Sequence, residues 1–328
     1  MSPPNSVDGV LIQWGDRLFY PGNRIVKTPP ESRLGGFAGR PAFDVRQRIE
    51  AIVLRRAQQV MVKVTGGGRG MKAIAAHLRY ISKNGRLQIE DERGNKLQGK
   101  ESLLDLADEW RFGGGRIGDT SDRREAFNIM LSMPRGTDPL TVLNAARDFA
   151  KAELDDHKYV MVLHDHQSNP HVHLSVRAES RHGKRLNPRK ADLHRWRETF
   201  AEKLRERGID AEATRQATRG VARSYEPLWR LRAREEGRLR VRRPQTTASA
   251  RALNHRQQVG LAWGHIANAL SQSAEPSDRR LAEAIVLYAR DLREARERPK
   301  AVRSDAGIRR QEQVGAPTID REQPGPQR

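Results

Sequence analysis

The sequence predicts an α+β fold, in which helices pack on a central β-sheet. Short apolar runs typical of strands alternate along the chain with longer stretches of helical periodicity. The hydrophobic fraction, 36% of 328 residues, is enough for at least one core of ordinary size. The order strand, helix, strand, helix, strand, strand indicates a sheet that carries helices on its faces.

The predicted elements follow that order from about residue 60. Strand patterns are predicted over residues 60–64, 127–133, 159–164 and 171–178, with a short hairpin at 87–89 and 96–97. Helical patterns are predicted over residues 71–83, 103–111, 139–154, 192–208, 250–272 and 277–297. Asp138 is a suitable N-cap for the third of these helices, and Pro139 suits its first helical position.

The same patterns divide the chain into four regions. Residues 1–45 contain many prolines and glycines and show no sustained period, so they are predicted to form an irregular N-terminal arm. Residues 46–245 are predicted to form the catalytic domain, and residues 246–298 a helical region. Residues 299–328 are polar and almost free of large apolar groups, which predicts a disordered basic tail.

The composition restricts the partners and the chemistry. Lysine and arginine number 61 against 41 acidic residues, a formal charge of +20, so a polyanion is the expected partner and nucleic acid the favoured one. The absence of cysteine excludes disulfides, thiol nucleophiles and thiolate zinc sites. No apolar run is long enough to cross a bilayer, and the N-terminus MSPPNSVDG lacks a signal-peptide apolar region. We therefore expect no membrane insertion and a cytoplasmic location.

Three histidines near the middle of the sequence predict a metal site. In the strand that contains His171 and His173, alternate side chains share a face, so both imidazoles point to the side opposite Val172 and Leu174. His164 ends the preceding strand and converges on this pair if the two strands are neighbours. Three imidazoles that leave other positions open are typical of a catalytic metal site.

The histidine pattern has two other interpretations. Ordinary histidines on a half-exposed strand would explain an isolated His-X-His pair, but they explain three at this spacing less well. Nucleotide hydrolases of the histidine-triad class alternate three histidines along one strand. Here the third alternate position is Ser175, which argues against that class.

Tyr80 is the candidate nucleophile. In the predicted helix the apolar residues fall on one side, and Tyr80 lies nearly opposite the centre of that stripe. Arg79 and Lys83 are near enough to lower the cost of a phenolate. The alternative is a surface tyrosine with no catalytic role.

The glycine-rich segment at 65–70 offers a second DNA contact. It lacks the Gly-Lys-Ser/Thr ending of a P-loop, so binding of a nucleoside triphosphate is not expected. Exposed amides at the helix N-terminus, beside Lys63, Arg69 and Lys72, would hold a DNA phosphate, while a plain flexible turn is the other interpretation.

Two motifs resemble those of a known family. HLRYISKNG at 77–85 is similar to the nucleophile segment, and HDHQSNPHVHL at 164–174 to the metal motif, of the relaxases, or mobilization nucleases, of conjugative plasmids and integrative elements. These belong to the HUH endonuclease superfamily, and the likeness is to the branch with the T-DNA border endonuclease of Agrobacterium. GIDAEATRQATRGVARSYEP at 208–227 is similar to the segment after that domain's core, so the resemblance covers about residues 58–230.

The resemblance implies an antiparallel sheet with the histidines on its central strands, and Mg²⁺ or Mn²⁺ held by His164, His171 and His173. It also implies Tyr80 as the nucleophile of a metal-dependent DNA endonuclease that forms a 5′-phosphotyrosine link. Asp165, His166 and Asn169 are the residues expected to support the ligands. Relatives often have Asp where this chain has His166, which leaves the carboxylate helper open.

The implied substrate is single-stranded and duplex DNA at a transfer origin. The residues expected to contact DNA are Lys63, Arg69, Lys72, Arg79, Lys83, Arg177, Arg181, Lys184 and Arg185. Trp196 or Trp229 is a candidate for stacking a base. The implied partners are accessory DNA-binding proteins and the coupling protein of a type IV secretion system, with export into the recipient cell.

Three rival functions remain open at this point. A rolling-circle replication initiator or a transposase of the same fold uses the same residue types, although initiators usually place the tyrosine after the histidines. A non-catalytic DNA-binding regulator would use the cluster structurally. A metal hydrolase acting on small phosphoesters would need no DNA.

Overall fold

The computed structural model describes residues 6–19, 42–166, 169–214, 218–219, 233, 236–238 and 250–297. Its helices are α1 (Val7–Phe19), α2 (Ala42–Val53), α3 (Met71–Ile81), α4 (Lys100–Phe112), α5 (Pro139–Leu154), α6 (Lys190–Arg205), α7 (Ala250–Ser271) and α8 (Pro276–Glu297). Its strands are β1 (Gln58–Gln59), β2 (Met61–Gly66), β3 (Ile89–Asp91), β4 (Lys96–Leu97), β5 (Ala126–Ser132), β6 (His157–His164), β7 (His171–Ser180) and β8 (Ala211–Glu212).

The centre of the fold is a six-stranded sheet in the order β2-β5-β7-β6-β3-β4. Every neighbouring pair in it is antiparallel. Strands β6 and β7 are therefore central, and both carry histidines of the predicted metal site. The α+β class and the antiparallel sheet are confirmed. The short parallel pair of β1 and β8, which is too brief to show a sequence period, was not predicted.

One face of the sheet packs against α5 and α6. Val172, Leu174 and Val176 of β7 are fully buried there, as the alternation along the strand predicts. Asp138 caps α5, because its carboxylate accepts a hydrogen bond from the Thr141 amide at 2.7 Å. Trp196 of α6 lies in the same core with 1% of its surface exposed. Its proposed role in stacking a DNA base is therefore wrong, since no face of the ring is free.

The opposite face is covered in part by α3 and α4. Met71, Ile74, Leu78 and Ile81 form the buried stripe of α3, which packs with Trp110 of α4 over Val160 and Val162 of β6. The histidine side chains lie on this same face. Helix α3 runs antiparallel to β2, which precedes it, so its C-terminal end returns to the end of the sheet where β6 finishes and β7 begins.

Helix α1 corrects the prediction of an irregular N-terminal arm. Its apolar residues recur at helical spacing, and Leu11 and Leu18 are buried against α7, α8 and α2. The high content of proline and glycine over residues 1–45 obscured this local period. The remainder of that arm, residues 20–41, lies outside the described residues, as do the predicted tail at 299–328 and Trp229.

Helices α1, α2, α7 and α8 share one core, which we call the helical unit. The helices predicted at 250–272 and 277–297 are present in it as α7 and α8. Arg46 of α2 makes a two-pronged ion pair with Asp278 of α8, at 2.8 and 3.0 Å. Arg48 pairs with Glu198 of α6 and Glu212 of β8, which joins the helical unit to the sheet domain. Among the described helices, none is both long and apolar enough to span a bilayer.

Candidate metal centre and nucleophile

Strands β6 and β7 bring His164, His171 and His173 together. His164 stands directly opposite His171 in the antiparallel register, and His173 is two residues further along the same face. One ring nitrogen from each lies within 4.8 Å of the others. The ring centroid of His164 lies 4.6 Å from that of His173 and 5.0 Å from that of His171. The predicted convergence of the three imidazoles is therefore present.

Main-chain carbonyls fix which nitrogen of two imidazoles carries the proton. Nε2 of His164 lies 2.7 Å from the carbonyl oxygen of Ile81, and Nδ1 of His171 lies 2.9 Å from that of Asn169. A carbonyl only accepts, so both of these nitrogens donate. The lone pairs of the neutral rings are then on Nδ1 of His164 and Nε2 of His171, free to bind a cation.

Burial favours the neutral form of His164 and His173. For His173, burial first and then the neighbouring His164, His171 and His77 together lower the pKa to about 3. Burial also lowers the pKa of His164, against the opposing effect of the Ile81 carbonyl. Neutral imidazoles are the form that binds metal ions.

The residues present fit a divalent metal ion. Nδ1 of His173 is buried without a hydrogen-bond partner, which is costly for a polar atom unless something binds it. Three nitrogen donors on two rigid strands suit a site with open positions. Within the described part of the chain no carboxylate joins this group.

The three residues expected to support the ligands have different positions. Asn169 contributes through its main-chain carbonyl, which orients His171. His166 is exposed, with its ring centroid 5.2 Å from that of His164. Asp165 is exposed, and it lies outside the group of candidate ligands.

Helix α3 carries Tyr80 to the edge of this cluster. Tyr80 is 74% exposed, as its position opposite the apolar stripe predicts, and the next residue supplies the carbonyl that His164 contacts. The helix ends at Ile81, after which Lys83 and Asn84 adopt positive φ angles of 51° and 59°. This turn places Lys83 near enough to lower the pKa of His164, though less than burial does.

The cations assigned to DNA fall into two groups. Lys63, Arg79 and Lys83 are exposed at the histidine end of the sheet. Lys63 of β2 stands opposite Met130 of β5 in the sheet register, and Met130 stands opposite His173 of β7. Lys63 and His173 are therefore separated by two strand spacings, which is about 10 Å. The other exposed cations, Arg69, Lys72, Arg181 and Lys184, lie near the opposite end of the sheet. The distance along β7 from His173 to Ser180, seven residue steps, is about 23 Å.

Arg177 does not face solvent, which corrects its assignment to DNA binding. It is 2% exposed and donates to the carbonyls of Trp110, at 2.9 Å, Gly113, at 2.7 Å, and Gly115. It shares the histidine face, but α4 and the loop that follows cover that end. Arg185 is half-buried and ion-paired with Glu125 at 3.1 Å, so its charge is largely engaged within the protein.

The glycine-rich segment does not offer free amides at the start of α3. The amides of Met71 and Lys72 donate to the carbonyls of Gly118 and Asp119, at 2.9 and 3.2 Å, and the Gly68 amide donates to Ala126. Gly70, at φ 91°, lies so close to the Asp119 main chain that a Cβ there would clash at 2.4 Å. The amides of Gly68, Met71 and Lys72 are therefore not free for a phosphate, which argues against the nest at these three positions, and Gly70 serves the close packing of two loops.

Part of the chain is similar to known proteins. Residues 80–209 match the family model described as "Relaxase: MobA/VirD2-like, nuclease domain". "T-DNA border endonuclease VirD2" of Rhizobium radiobacter is 26% identical over 187 residues, 51% of this chain and 44% of that protein. The protein of the same name from Agrobacterium fabrum is 25% identical over 186 residues, 51% of this chain and 41% of that protein.

The chain thus spans less than half the length of these two curated relatives. A solved structure described as "Molecular Basis of Vancomycin Resistance Transfer in Staphylococcus aureus" is 14% identical. It covers 48% of this chain and 99% of its own, with a TM-score of 0.31. The region that matches the family model begins at Tyr80 and includes all three histidines.

Sequence reasoning missed two groups near the histidine cluster. The carbonyl of Ile81 belongs to the main chain, so the residue type at position 81 does not indicate its role. His77 lies three residues before Tyr80 on α3, with its ring centroid 6.4 Å from that of Tyr80. Its spacing on a helix was a usable signal, because residues three apart share a face.

Proposed function

We propose that this protein is a site- and strand-specific DNA nickase, a relaxase that cleaves single-stranded DNA at a transfer origin during conjugative mobilization. The observation that carries the proposal is the hydrogen bond between His164 and the carbonyl of Ile81. It ties the residue after an exposed tyrosine to a cluster of neutral histidines, so nucleophile and cluster occupy one site. The domain match to relaxases and the charge of +20 support DNA as the substrate.

The proposed reaction is a transesterification at Tyr80. The phenolic oxygen attacks the scissile phosphorus and loses its proton, a tyrosine–phosphorus bond forms, and the bond to the 3′ oxygen breaks. The 3′ oxygen takes up a proton and leaves as a hydroxyl, while the 5′ phosphate stays on Tyr80. The covalent link conserves the energy of the phosphodiester, so the strand is later rejoined without another energy source.

His164, His171 and His173 would hold Mg²⁺ or Mn²⁺. When bound, the ion supplies charge stabilisation at a non-bridging phosphate oxygen. The chain's own contribution is to bury His164 and His173, which favours their neutral form, and to orient His164 and His171 through main-chain carbonyls. Lys83, in the turn after α3, adds a positive charge beside the phosphate that Tyr80 attacks.

The wider setting belongs to the same proposal. We place the catalytic domain at residues 46–245, with the cytoplasm of a bacterium as its location. The proposed context is a plasmid or integrative element, with accessory DNA-binding proteins, a type IV coupling protein and export with the DNA. A replication initiator or transposase of the same fold remains the alternative role.

The test is a cleavage assay with the full-length protein. Labelled single-stranded DNA spanning the transfer origin of its own element is incubated with Mn²⁺ or Mg²⁺ and run on a denaturing gel. We expect a covalent protein–DNA band that Tyr80→Phe abolishes. Tyr159→Phe is the matched control, because that tyrosine is 3% exposed in the core on the other face of the sheet, and it should retain the band.

Two outcomes would contradict the proposal. Release of free 5′-phosphate product that persists in Tyr80→Phe would show hydrolysis without the tyrosine. Tight DNA binding with no cleavage in either metal would favour the non-catalytic regulator.

A further inference from the structure

His77 occupies the space between the nucleophile and the histidine cluster. It precedes Tyr80 by three residues on α3, so the two side chains leave the helix on neighbouring sides. Their ring centroids are 6.4 Å apart, and the rings are tilted by 32°. On the other side His77 is near enough to His173 to contribute to the lowering of that group's pKa.

The Nε2 atom of His77 is buried and has no hydrogen-bond partner. Leaving such an atom unpaired destabilises a fold, and unpaired buried groups tend to occur where function requires them. The flanking residues of α3 are apolar, with Ile74 and Leu78 almost fully buried. An apolar side chain at position 77 would fit this environment better, so packing alone does not explain a histidine.

A hydroxyl group suits the unpaired Nε2. Burial lowers the pKa of His77, so the ring is neutral, with one nitrogen that donates and one that offers a lone pair. A hydroxyl both donates and accepts, so it can pair with Nε2 in either tautomer, whereas a phosphate oxygen cannot pair with a lone pair. The hydroxyl of Tyr80 is the donor nearest along the helix, and at 74% exposure its side chain is free to turn.

We propose that His77 is a positioning residue for Tyr80: its Nε2 accepts a hydrogen bond from the tyrosine hydroxyl when that side chain turns from solvent toward the histidine cluster. The bond holds the phenolic oxygen between the helix and the cluster, where the scissile phosphate is attacked. This inference rests on the proposed nickase function. It adds a residue to the site that neither the motif histidines nor Tyr80 supply.

The first experiment compares full-length wild type, His77→Leu and His77→Gln. Each is assayed for first-order cleavage of the single-stranded origin DNA, for binding of that DNA in EDTA, and for thermal unfolding. We expect His77→Leu to slow cleavage about 100-fold, as misplacement of a reacting group does. Its DNA affinity should stay within about twofold, and its melting temperature should be equal to or above that of the wild type. His77→Gln, whose amide oxygen accepts a hydrogen bond, should recover part of the rate.

The matched control is His182→Leu, which removes an exposed histidine in the loop after β7 and should change none of these values. Wild-type cleavage speed in His77→Leu would overturn the inference and leave the nickase proposal intact. A fall in melting temperature that parallels the fall in rate, with no recovery in His77→Gln, would also overturn it, since the residue would then be structural.

The second experiment does not depend on cleavage. Protein with ¹⁵N-labelled histidine is bound to oligo(dT) in EDTA, and the Nε2 resonance of His77 is compared between wild type and Tyr80→Phe. Removal of the donor hydroxyl should shift this resonance toward the position of a free lone pair. Identical resonances in the two proteins would overturn the inference, whether or not the wild type nicks DNA.

Discussion

His164 donates from Nε2 to the main-chain carbonyl oxygen of Ile81 across 2.7 Å, joining the end of β6 to the end of α3. This bond has two consequences. It leaves Nδ1 of His164 as the nitrogen with a lone pair, and it fixes the helix end that carries Tyr80 against the histidine cluster. A single hydrogen bond therefore orients both a proposed metal ligand and the backbone beside the proposed nucleophile.

The two roles of His164 are expected to separate by mutation. His164→Ala leaves the Ile81 carbonyl without its donor and should lower the free energy of unfolding of the metal-free protein by about 1 to 3 kcal/mol. His164→Gln places an amide donor near Nε2 and should lose clearly less. Both variants lack the ligand nitrogen, so both should lose Mn²⁺ affinity. Urea denaturation in EDTA and calorimetric titration measure the two effects. Equal stability losses in the two variants would mean that the bond to Ile81 contributes nothing.

His173 is expected to destabilise the metal-free protein and to stabilise the metal-bound protein. Its Nδ1 is buried and unpaired, so His173→Leu should leave the metal-free protein as stable as the wild type or more so. Mn²⁺ at 100 times its Kd should stabilise the wild type by about 2.7 kcal/mol and the variant not at all. Thermal melts with and without Mn²⁺ test this, with His182→Ala as the control that responds like the wild type. An equal metal response in His173→Leu would exclude this residue as a ligand.

Arg177 is expected to be structural. Replacement by Ala removes the donor to three carbonyl groups, the buried one of Trp110 and the partly buried ones of Gly113 and Gly115, so we expect a loss of about 2 to 4 kcal/mol in the free energy of unfolding. Arg177→Lys should recover little, because one ammonium cannot reproduce the planar fork. Urea denaturation measures the loss. An Arg177→Ala protein of normal stability but weak DNA binding would restore the original assignment.

Arg177 also illustrates what a strand pattern can predict. The alternation along β7 correctly separated Val172, Leu174 and Val176 from the side chains of the histidine face. It could not show that α4 and the following loop cover one end of that face, because this depends on contacts between residues over sixty positions apart. The same face therefore holds the candidate metal ligand His173 and a buried arginine four residues later.

Helix α1 and the start of α3 show the complementary limit. The proline and glycine content of residues 1–45 predicted an irregular arm. The helical period of the apolar residues within 7–19 determines the structure instead, because α7 and α8 cover the apolar side of that helix. At the start of α3 the glycines predicted a loop with free amides. The partner carbonyls of Gly118 and Asp119 come from a distant loop that no local pattern connects to it.

The helical unit is expected to weaken in acid through Asp278. The hydrogen bond from Arg46, helped by that of Ser273, lowers the pKa of this carboxyl below its usual value near 3.8. A carboxyl with a lowered folded-state pKa contributes stability that is complete above its unfolded pKa and is lost as the pH falls through the folded one. The contribution is therefore full above about pH 5 and declines below about pH 4. Thermal melts of wild type and Asp278→Asn from pH 7 to 3 should converge at the acid end. A constant difference at all pH values would rule out the ionised pair as its source.

The cations at the two ends of the sheet are expected to contact different parts of the DNA. Lys83 lies in the turn after Tyr80, whereas Lys184 follows the far end of β7, about 23 Å from His173. On a short oligonucleotide that reaches only the histidine end, Lys83→Ala should reduce affinity and lower the slope of log K against log salt by about 0.7, the value for one phosphate contact to a single strand. Lys184→Ala should match the wild type on that oligonucleotide and weaken binding only when the DNA is extended by several nucleotides. Fluorescence anisotropy over a range of NaCl concentrations distinguishes the two. If Lys184→Ala weakens binding of the short oligonucleotide as much as Lys83→Ala does, the strand does not lie over the histidine end as proposed.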